Sequence, residues 1–355
     1  MRIALITDIH WGVRKDHTAF IDYFDKFYTN IFFPKLLCNG VTHVILGGDT
    51  FDKRKYSNHL TIKAAKRIFF DELRRHKIQT HILIGNHDIT FNNTLETNSV
   101  SVLLPEYDNI EIIKHPTVAQ FDGLDIALVP WICSSNADET MEFLGNAKAE
   151  ICIGHFEISG FEMYKGQQSS ASSSDRLSAK TFERFDMVFS GHYHHKSTQG
   201  NITYLGTPYE MTWHDYDDPK GFHLFDTDTR QLEFVPNPYK MFVRVDYNDQ
   251  DQEPVDLDAI ALENTYVKVF VINKTNFPKF EQFMAKMHTK GCHDIKVIED
   301  MREYESSVTE EAVTTNNTGE VLDKYIDTLG FDANKELVKD FVKGLYLEAL
   351  MLEDL

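Results

Sequence analysis

The chain has 355 residues, 42% of them hydrophobic, and a formal net charge of −19 at pH 7. This length allows one large domain with a substantial core and a smaller second one. The acidic balance argues against a simple electrostatic nucleic-acid binder. The residues from Glu299 onward carry more than half of this net negative charge. No apolar run is long enough to span a bilayer, and Met1-Arg2 leads directly into a predicted strand rather than into a signal peptide.

The first half of the chain alternates short apolar runs with helical patterns. Residues 3–6, 43–46 and 80–84 are rich in Ile, Val and Leu and are predicted to be buried strands. Apolar residues recur about once per turn in residues 18–37 and 58–76, which predicts two helices. This β-α-β-α-β order implies parallel strands with right-handed crossovers, and ligands of such sheets collect at the carboxyl ends of the strands.

Farther along the chain, apolar runs are separated by turn residues with few helices, which indicates a second sheet packed on the first. The predicted strands are residues 111–113, 124–129, 151–154, 187–190, 202–205 and 221–225. Residues 166–175 form a polar, serine-rich loop, for which contact with a substrate and a plain surface role are both open.

The C-terminal third begins after a pause around Pro236 and Pro238. A small α+β unit is predicted next, with strands at 242–245, 266–272 and 294–297 and a helix at 279–288. Residues 303–319 are polar and lack apolar periodicity, which predicts a linker. Residues 320–329 and 334–352 are predicted to be two helices, the second with a broad apolar face.

Five short polar motifs each follow an apolar run. Their carboxylate, amide and imidazole groups are donors that suit hard-to-borderline divalent cations such as manganese, iron or zinc. A single histidine among them would be interpreted as structural, but the five motifs together indicate a two-metal hydrolase. The motifs are Asp8-Ile9-His10, Gly48-Asp49-Thr50-Phe51-Asp52, Gly85-Asn86-His87-Asp88, Gly154-His155 and Gly191-His192-Tyr193-His194.

Two cations about 3.5–4 Å apart can neutralise a phosphodiester and lower the pKa of a bridging water. Such a pair needs a bridging carboxylate, and Asp49 is the best candidate because it follows two glycines at the end of the central strand. Asp8 and His10, two residues apart in an extended chain, are expected to project to one side and hold one cation. Asn86 is expected to bind the other cation through its amide oxygen. The remaining donors come from the second sheet, the last two with the same i, i+2 spacing: His155, His192 and His194.

His87 is predicted to be a general acid rather than a ligand. It adjoins Asn86, so its ring points elsewhere, and Asp88 follows it directly. An imidazole held by a carboxylate above the leaving group is suited to proton donation. Asp52 is interpreted as a hydrogen-bond partner of a neighbouring ligand or as a cap, not as a ligand.

Two further sets of residues bear on partners and compartment. Lys53, Arg54 and Lys55 follow the Asp49 motif, and contact with a phosphate backbone and an ordinary surface role are both open for them. The cysteines lie far apart without CxxC spacing and are expected to be buried thiols of a reducing cytoplasm. They are Cys38, Cys133, Cys152 and Cys292.

The motif order D-x-H, G-D-x-x-D, G-N-H-[DE], H and G-H-x-H resembles the calcineurin-like metallophosphoesterase superfamily, and every block is matched in order. The resemblance implies an α/β fold, a four-layer αββα sandwich with a dinuclear centre. It implies that His87 is the acid near the leaving group. The implied ligands are Asp8, His10, Asp49 and His194 for the first metal, and Asp49, Asn86, His155 and His192 for the second.

A narrower resemblance is to the SbcD-type DNA repair nucleases. It rests on Asp8-Ile9-His10-Trp11-Gly12 and on Gly206-Thr207-Pro208, which follows Tyr204. Trp131 after Pro130, His155-Phe156-Glu157 with Gly160-Phe161, and the length are most similar to the recombination endonuclease subunits of T4-like bacteriophages. Members of this family pair with an SMC-like coiled-coil ATPase through C-terminal helices.

The narrower resemblance implies a manganese-dependent exonuclease on double-stranded DNA and endonuclease on single strands, with Mg²⁺ as the alternative metal. It implies a nuclease domain at 1–238, a DNA-contacting capping domain at 239–300, a linker at 301–319 and helices at 320–355 that bind the ATPase. The apolar face of these helices suits a coiled-coil groove, and packing on the chain's own core is the alternative. A homodimer without membrane association is also implied, in the infected bacterial cytoplasm if the chain is phage-encoded.

Two other functions stay open on the same fold. One is a phosphomonoesterase or cyclic-nucleotide phosphodiesterase, and the other is a non-catalytic scaffold that has lost its metals. The region after residue 240 is unnecessary for small substrates and therefore favours the nuclease. No ligand of the motif pattern is missing, which argues against the scaffold.

Overall fold

The computed structural model describes residues 1–168, 177–251 and 255–299. The predicted linker at 301–319 and the predicted helices within 320–355 lie outside these residues, as does most of the serine-rich loop. The strands, in chain order, are β1 (Arg2–Ile6), β2 (His43–Leu46), β3 (Gln79–Leu83), β4 (Ile110–Ile113), β5 (Thr117–Phe121), β6 (Leu124–Val129), β7 (Ile151–His155), β8 (Glu162–Tyr164), β9 (Gln167–Gln168), β10 (Met187–Gly191), β11 (Ser197–Gln199), β12 (Ile202–Tyr204), β13 (Gly221–Asp226), β14 (Leu232–Pro236), β15 (Phe242–Asn248), β16 (Tyr266–Asn273) and β17 (Asp294–Ile298).

The two helices predicted in the first half are confirmed, and each contains a π-helical turn. The first π-helical turn, Tyr28–Phe32, lies between α1 (Thr18–Phe27) and α2 (Phe33–Cys38). The second, Lys66–Phe70, lies between α3 (His59–Ala65) and α4 (Asp71–Arg75). Asn58 caps the second segment, since its side chain accepts a hydrogen bond from Leu60 N at 2.8 Å. The α-helices are α1 (Thr18–Phe27), α2 (Phe33–Cys38), α3 (His59–Ala65), α4 (Asp71–Arg75), α5 (Ser99–Leu103), α6 (Ala137–Asn146) and α7 (Phe277–His288), with short turns at Val13–Asp16, Ala179–Phe182 and Trp213–Asp215.

The first sheet has the order β14-β13-β1-β2-β3-β4. Strands β1 to β4 are parallel, as predicted for the first three, while β13 and β14 add an antiparallel edge. The carboxyl ends of β1, β2 and β3 therefore lie side by side, which is where the first three polar motifs begin.

The second sheet has the order β11-β12-β10-β7-β6-β5, with parallel pairing from β12 to β6. The expectation that residues 111–113 and 221–225 belong to it is wrong, because these runs form β4 and β13 of the first sheet. A short apolar run does not specify its partner strand, so the sheet that it joins depends on contacts far away in the chain.

The core lies in layers because alternate residues of a strand face opposite sides. Ile3 and Leu5 of β1 pack between the two sheets, together with Ile126 and Leu128 of β6. Ala4 and Ile6 face the other way, against the helices that cover the first sheet. A third cluster covers the outer side of the second sheet and includes Leu144 of α6. The predicted αββα order is confirmed.

The chain divides into two compact units. The second contains, among the described residues, 244–251, 255–257, 268–286 and 295–299. Within it the ring of Tyr247 lies 5.0 Å from that of Phe280 and 4.8 Å from that of Phe283. The elements predicted for this region are confirmed as β15, β16, β17 and α7, with the sheet order β15-β16-β17. The four-domain division stays a prediction.

Two local expectations need correction. Cys38 is exposed rather than buried, because it ends α2 on the solvent side, whereas Cys133 and Cys152 are buried and Cys292 is half-buried. Helix α6 was not predicted, since Thr140 takes one of its buried positions and weakens the apolar pattern. In the described part of the chain, no helix combines the length and the apolarity needed to cross a membrane.

One buried histidine of the first sheet lowers the free energy of unfolding at acid pH. His223 of β13 is 2% exposed, and its ring centroid lies 5.1 Å from that of Phe234. Burial, with a smaller effect of Lys196, lowers the pKa of His223 to about 3. The imidazole is therefore neutral in the folded chain at pH values where it is protonated in the unfolded chain.

Replacing His223 with Leu should make the fold less sensitive to acid. From about pH 6.5, the ordinary histidine value, down to the lowered pKa of about 3, the unfolded parent binds a proton that the folded parent does not. The parent thus loses about 1.4 kcal/mol of unfolding free energy per pH unit of acidification in this window, and the variant avoids this loss. Urea unfolding between neutral pH and about pH 4 measures the difference. A pH-independent difference in unfolding free energy between His223→Leu and the parent would contradict the assignment.

Candidate metal centre

The polar motifs meet at one edge of the two sheets. Asp8, Asp49 and Asn86 follow β1, β2 and β3, and all three are buried. His155 ends β7 and His192 follows β10, so the second sheet contributes at the same edge. Parallel strands place their carboxyl ends together, which explains why residues distant in sequence become neighbours.

The first donor group consists of Asp8, His10 and His194, whose candidate ligand atoms all lie within 4.8 Å of one another. Over the described residues, both ring nitrogens of His10 and Nδ1 of His194 are buried without a hydrogen-bond partner. Buried polar atoms are rarely left in this state. A carboxylate and two buried imidazoles are a donor set that fits a divalent cation.

The second donor group consists of Asp49, His155 and His192, again within 4.8 Å. The amide oxygen of Asn86 lies 3.0 Å from His155 Nε2 and 3.0 Å from His192 Nδ1. His155 Nδ1 lies 2.8 Å from the carbonyl oxygen of Gly47 and must donate to it. When the ring is neutral, Nε2 is therefore the nitrogen whose lone pair is available to a cation. A carboxylate, an amide oxygen and imidazole nitrogens are a donor set that fits a divalent cation.

Asp49 lies within reach of both groups. Its Oδ2 is 3.7 Å from His10 Nε2 and 3.4 Å from His155 Nε2. Its Oδ1 accepts a hydrogen bond from the main-chain N–H of His87 at 2.8 Å. The geometry therefore suits the bridging carboxylate that was predicted for this residue.

The buried carboxylates make the centre attract positive charge. Burial alone would lower the pKa of His10, but Asp52, Asp49 and Asp8 raise it to about 9. Burial likewise opposes protonation of His155, yet Asp49 raises the pKa of this ring to about 9. Both shifts have the same cause, which is the negative charge of the buried carboxylates beside the rings.

The backbone at the donors is not extended. Asp8, His10 and His192 have φ values of 52°, 38° and 85°, in the left-handed region that side chains seldom adopt. The prediction that i, i+2 spacing in an extended chain directs both side chains to one side is therefore wrong in its premise. Asp8 and His10 still share a donor group, whereas His192 and His194 fall in different groups.

His87 and Asp88 were expected to contact each other, but each side chain forms its hydrogen bonds with main-chain atoms of other residues. His87 Nδ1 lies 2.8 Å from the carbonyl oxygen of Asp52. The carboxylate of Asp88 accepts from the main-chain N–H groups of Gly85, Thr50 and Phe51 at 2.9, 3.0 and 3.1 Å. Asp88 joins two loops because its buried side chain turns toward the backbone. These hydrogen bonds give Asp88 a structural part, and its catalytic part stays a prediction.

The basic residues after Asp49 are partly engaged. Lys53 forms an ion pair with Asp16, and its ammonium lies 5.4 Å from the ring centroid of Tyr56. Arg54 donates to the side chain of Asn92. Contact of Lys53, Arg54 and Lys55 with a phosphate backbone stays a prediction.

Some neighbours of the centre were missed or undervalued by sequence reasoning. Asp52 Oδ1 lies 3.4 Å from His10 Nδ1, and Asp52, His10 and His87 form a third group within 4.8 Å. Trp131 packs 5.0 Å from the His192 ring, and Tyr164 lies 5.3 Å from the His194 ring. Asp52 is the second carboxylate of the G-D-x-x-D block, so a signal existed for it, whereas Tyr164 had none.

Comparison with known proteins gives a family and a full-length relative. The model of the calcineurin-like phosphoesterase family matches residues 1–196. Exonuclease subunit 1 of Enterobacteria phage T4 is 33% identical over 353 residues, which cover 98% of this chain and 99% of that protein.

Two solved structures are similar at lower identity. The GAP50 anchor in the inner membrane complex of Plasmodium is 16% identical, with 68% of this chain and 90% of that chain covered and a TM-score of 0.37. The Pseudomonas putida nuclease MPE is 14% identical, with 66% and 87% covered and a TM-score of 0.27.

The close approach of two loops at Gly85 predicts a large effect of a single methyl group. A Cβ at Gly85 would lie 2.2 Å from both Asp49 N and Asp49 Oδ1. Gly85→Ala should therefore displace the Asp49 loop and lower the free energy of unfolding by about 1–3 kcal/mol. The matched control is Gly145→Ala in α6, whose Cβ would meet nothing within 4 Å. It should leave stability unchanged or raise it by up to about 1 kcal/mol. Chemical denaturation measures both, and equal effects would contradict the inferred clash.

Proposed function

The chain belongs to the calcineurin-like phosphoesterase family of metal-dependent phosphoesterases, and from this premise we propose that it is a DNA nuclease. It would hydrolyse phosphodiesters as the nuclease subunit of a complex for recombination, repair and replication. The full-length likeness to the phage T4 exonuclease subunit is the observation that carries the proposal. Family membership alone accounts for a phosphoesterase, and the likeness over the full length to an exonuclease subunit supports DNA as the proposed substrate.

The proposed cofactors are two divalent cations, Mn²⁺ first and Mg²⁺ as the alternative. Bound cations of this kind neutralise the charge of a phosphodiester and lower the pKa of a water. The first donor group with Asp49 would hold one, and the second donor group with Asn86 would hold the other. Asp49 is proposed to belong to both because its carboxylate lies within 3.7 Å of one imidazole from each group.

His87 is proposed to supply the proton for the leaving oxygen. The carbonyl oxygen of Asp52 can only accept, so Nδ1 of His87 carries a proton, and Nε2 is the atom that can take one up and release it. A positioned acid of this kind contributes about 10²–10⁴-fold to a rate. The main-chain N–H of His87 donates a hydrogen bond to Asp49 Oδ1, which holds the backbone of His87 beside this carboxylate.

The partners are proposed on the likeness to the phage subunit. Residues 320–355 lie outside the described ranges. We propose that residues 320–355 bind an SMC-like coiled-coil ATPase, that residues 239–300 contact DNA, and that the chain works as a homodimer. Lys53, Arg54 and Lys55 are proposed as weaker contacts to the DNA backbone.

A substrate panel tests the proposal. The purified chain is incubated with linear double-stranded DNA, circular single-stranded DNA, p-nitrophenyl phosphate and a cyclic nucleotide, each with Mn²⁺, with Mg²⁺ or with EDTA. Hydrolysis of both DNA forms with Mn²⁺, and none with EDTA, is expected. Hydrolysis of the small esters alone would favour the phosphoesterase alternative, and metal binding without hydrolysis would favour the scaffold.

His87→Gln should separate proton donation from metal binding. Glutamine keeps a polar side chain but has no titratable group, so the turnover of DNA should fall by about 10²–10⁴-fold while cation binding persists. The comparison variant Asp49→Ala should lose both. Turnover and calorimetric Mn²⁺ titration are measured on each protein. Parent-like turnover of His87→Gln would exclude the proposed acid.

Truncation after residue 319 should remove binding of the SMC-like ATPase while cation binding remains. The predicted helix at 334–352 carries the apolar face that such a partner requires. A pull-down of the purified ATPase with the full-length and truncated chains measures the first effect, and calorimetry measures the second. Undiminished capture by the truncated chain would contradict the assignment.

A further inference from the structure

A buried lysine lies behind the loop that carries His194. Lys220 directly precedes β13, and its side chain is 2% exposed. Its Nζ lies 2.8 Å from Asp215 Oδ1 and 2.8 Å from Asp218 Oδ2. It also donates a hydrogen bond to the main-chain carbonyl oxygen of His194 at 2.9 Å. A lysine is almost never buried this deeply unless its charge is paired.

The two carboxylates are themselves fixed from other directions. Asp215 Oδ2 accepts from the main-chain N–H groups of Met211 and Thr212, each at 2.9 Å. Asp218 Oδ1 lies 2.9 Å from His195 Nδ1. The ammonium of Lys220 thus connects the segment that begins at Met211 to the loop at His194 and His195.

His194 lies outside the strands of the described residues, so contacts such as this one position it. Strand β10 ends at Gly191, three residues earlier. Besides Lys220, the carbonyl oxygen of His194 accepts from Thr207 N at 3.2 Å. Its ring belongs to the first donor group, with Asp8 and His10.

His192 is held in a different way. Its main-chain N–H lies 3.1 Å from each carboxylate oxygen of Asp8. Lys220 makes its main-chain contact at His194. The two histidines of one motif, which serve different donor groups, are therefore positioned by different charged residues.

We propose that Lys220 is a positioning residue for His194 and so controls one of the two cation positions. This inference rests on the metal assignment of the proposed function. Loss of the ammonium removes one of the two hydrogen-bond donors to the His194 carbonyl and leaves Asp215 and Asp218 as buried carboxylates without their counter-charge. The first donor group should loosen, while the second donor group, which has no contact with Lys220 among the described residues, should persist.

The test is Mn²⁺ binding to the full-length chain, measured by isothermal titration calorimetry and by the electron paramagnetic resonance signal of the bound ions. The parent should bind two ions. Lys220→Met should bind one with parent-like affinity and the other at least about tenfold more weakly. Binding of both ions as in the parent, or equal weakening of both in a folded protein, would overturn the proposal.

Glu210→Gln is the matched control. Glu210 is also a buried charged residue, 1% exposed, and its carboxylate accepts from Met241 N and Phe242 N at 2.8 and 2.9 Å. Its loss should disturb packing without touching His194, so both ions should bind as in the parent. Selective loss of one ion in this variant too would overturn the proposal, because general destabilisation would then explain Lys220→Met.

A second variant covers the case in which Lys220→Met does not fold. Combining Lys220→Met with Asp215→Asn and Asp218→Asn removes the uncompensated charges, which often restores stability. It still leaves the His194 carbonyl without the ammonium donor. Folded protein that binds one ion tightly is expected, and recovery of both ions would overturn the proposal.

His194→Ala distinguishes failure of this inference from failure of the metal assignment. It should weaken one ion selectively. If it binds two ions as the parent does, the assignment of His194 and the inference built on it are both overturned. If it weakens one ion while Lys220→Met binds both normally, only the role of Lys220 is overturned.

Discussion

The carboxylate of Asp49, buried among other electron-pair donors, is the constraint on which the rest of the centre depends. Asp49 and Asp8 are both in the interior, with imidazole nitrogens of His10 and His155 facing Asp49 at 3.7 and 3.4 Å. Burying charges of one sign is unfavourable unless positive charge is placed beside them. Protons on the two rings compensate part of this buried negative charge, and divalent cations would compensate more of it. The conformation of the surrounding loops follows from the same requirement.

Holding the donors this close requires backbone conformations that residues with side chains seldom adopt. Asp8, His10, Asp49 and His192 all have positive φ values. Each such residue costs about 1–3 kcal/mol and persists only where the surroundings enforce it. Here the parallel strands enforce it from one side. The close contact of Gly85 with Asp49, which leaves no room for a Cβ, enforces it from the other.

Much of the fold and of the donor set could be predicted from sequence because both rest on local patterns. Runs of Ile, Val and Leu mark β1, β2 and β3, and each run ends in a polar motif, so the location of Asp8, Asp49 and Asn86 follows. The assignment of β4 and β13 to the first sheet could not be predicted, because strand pairing depends on distant contacts. The direction of the Asp88 side chain depends on backbone N–H groups of another loop. Lys220 carries no spacing signal, since it meets His194 only in the folded chain.

The bonds made by Asp88 also have a consequence for local motion. One carboxylate accepts the amide hydrogens of Gly85, Thr50 and Phe51, which belong to the loops after β3 and β2. None of these amides can exchange with solvent while the carboxylate holds it, and release of one weakens the hold on the others. The two loops therefore share a single opening event with a common free energy, as a cooperative unit does. The part of the candidate metal centre that these two loops form is one such unit, and its segments lie more than thirty residues apart in the chain.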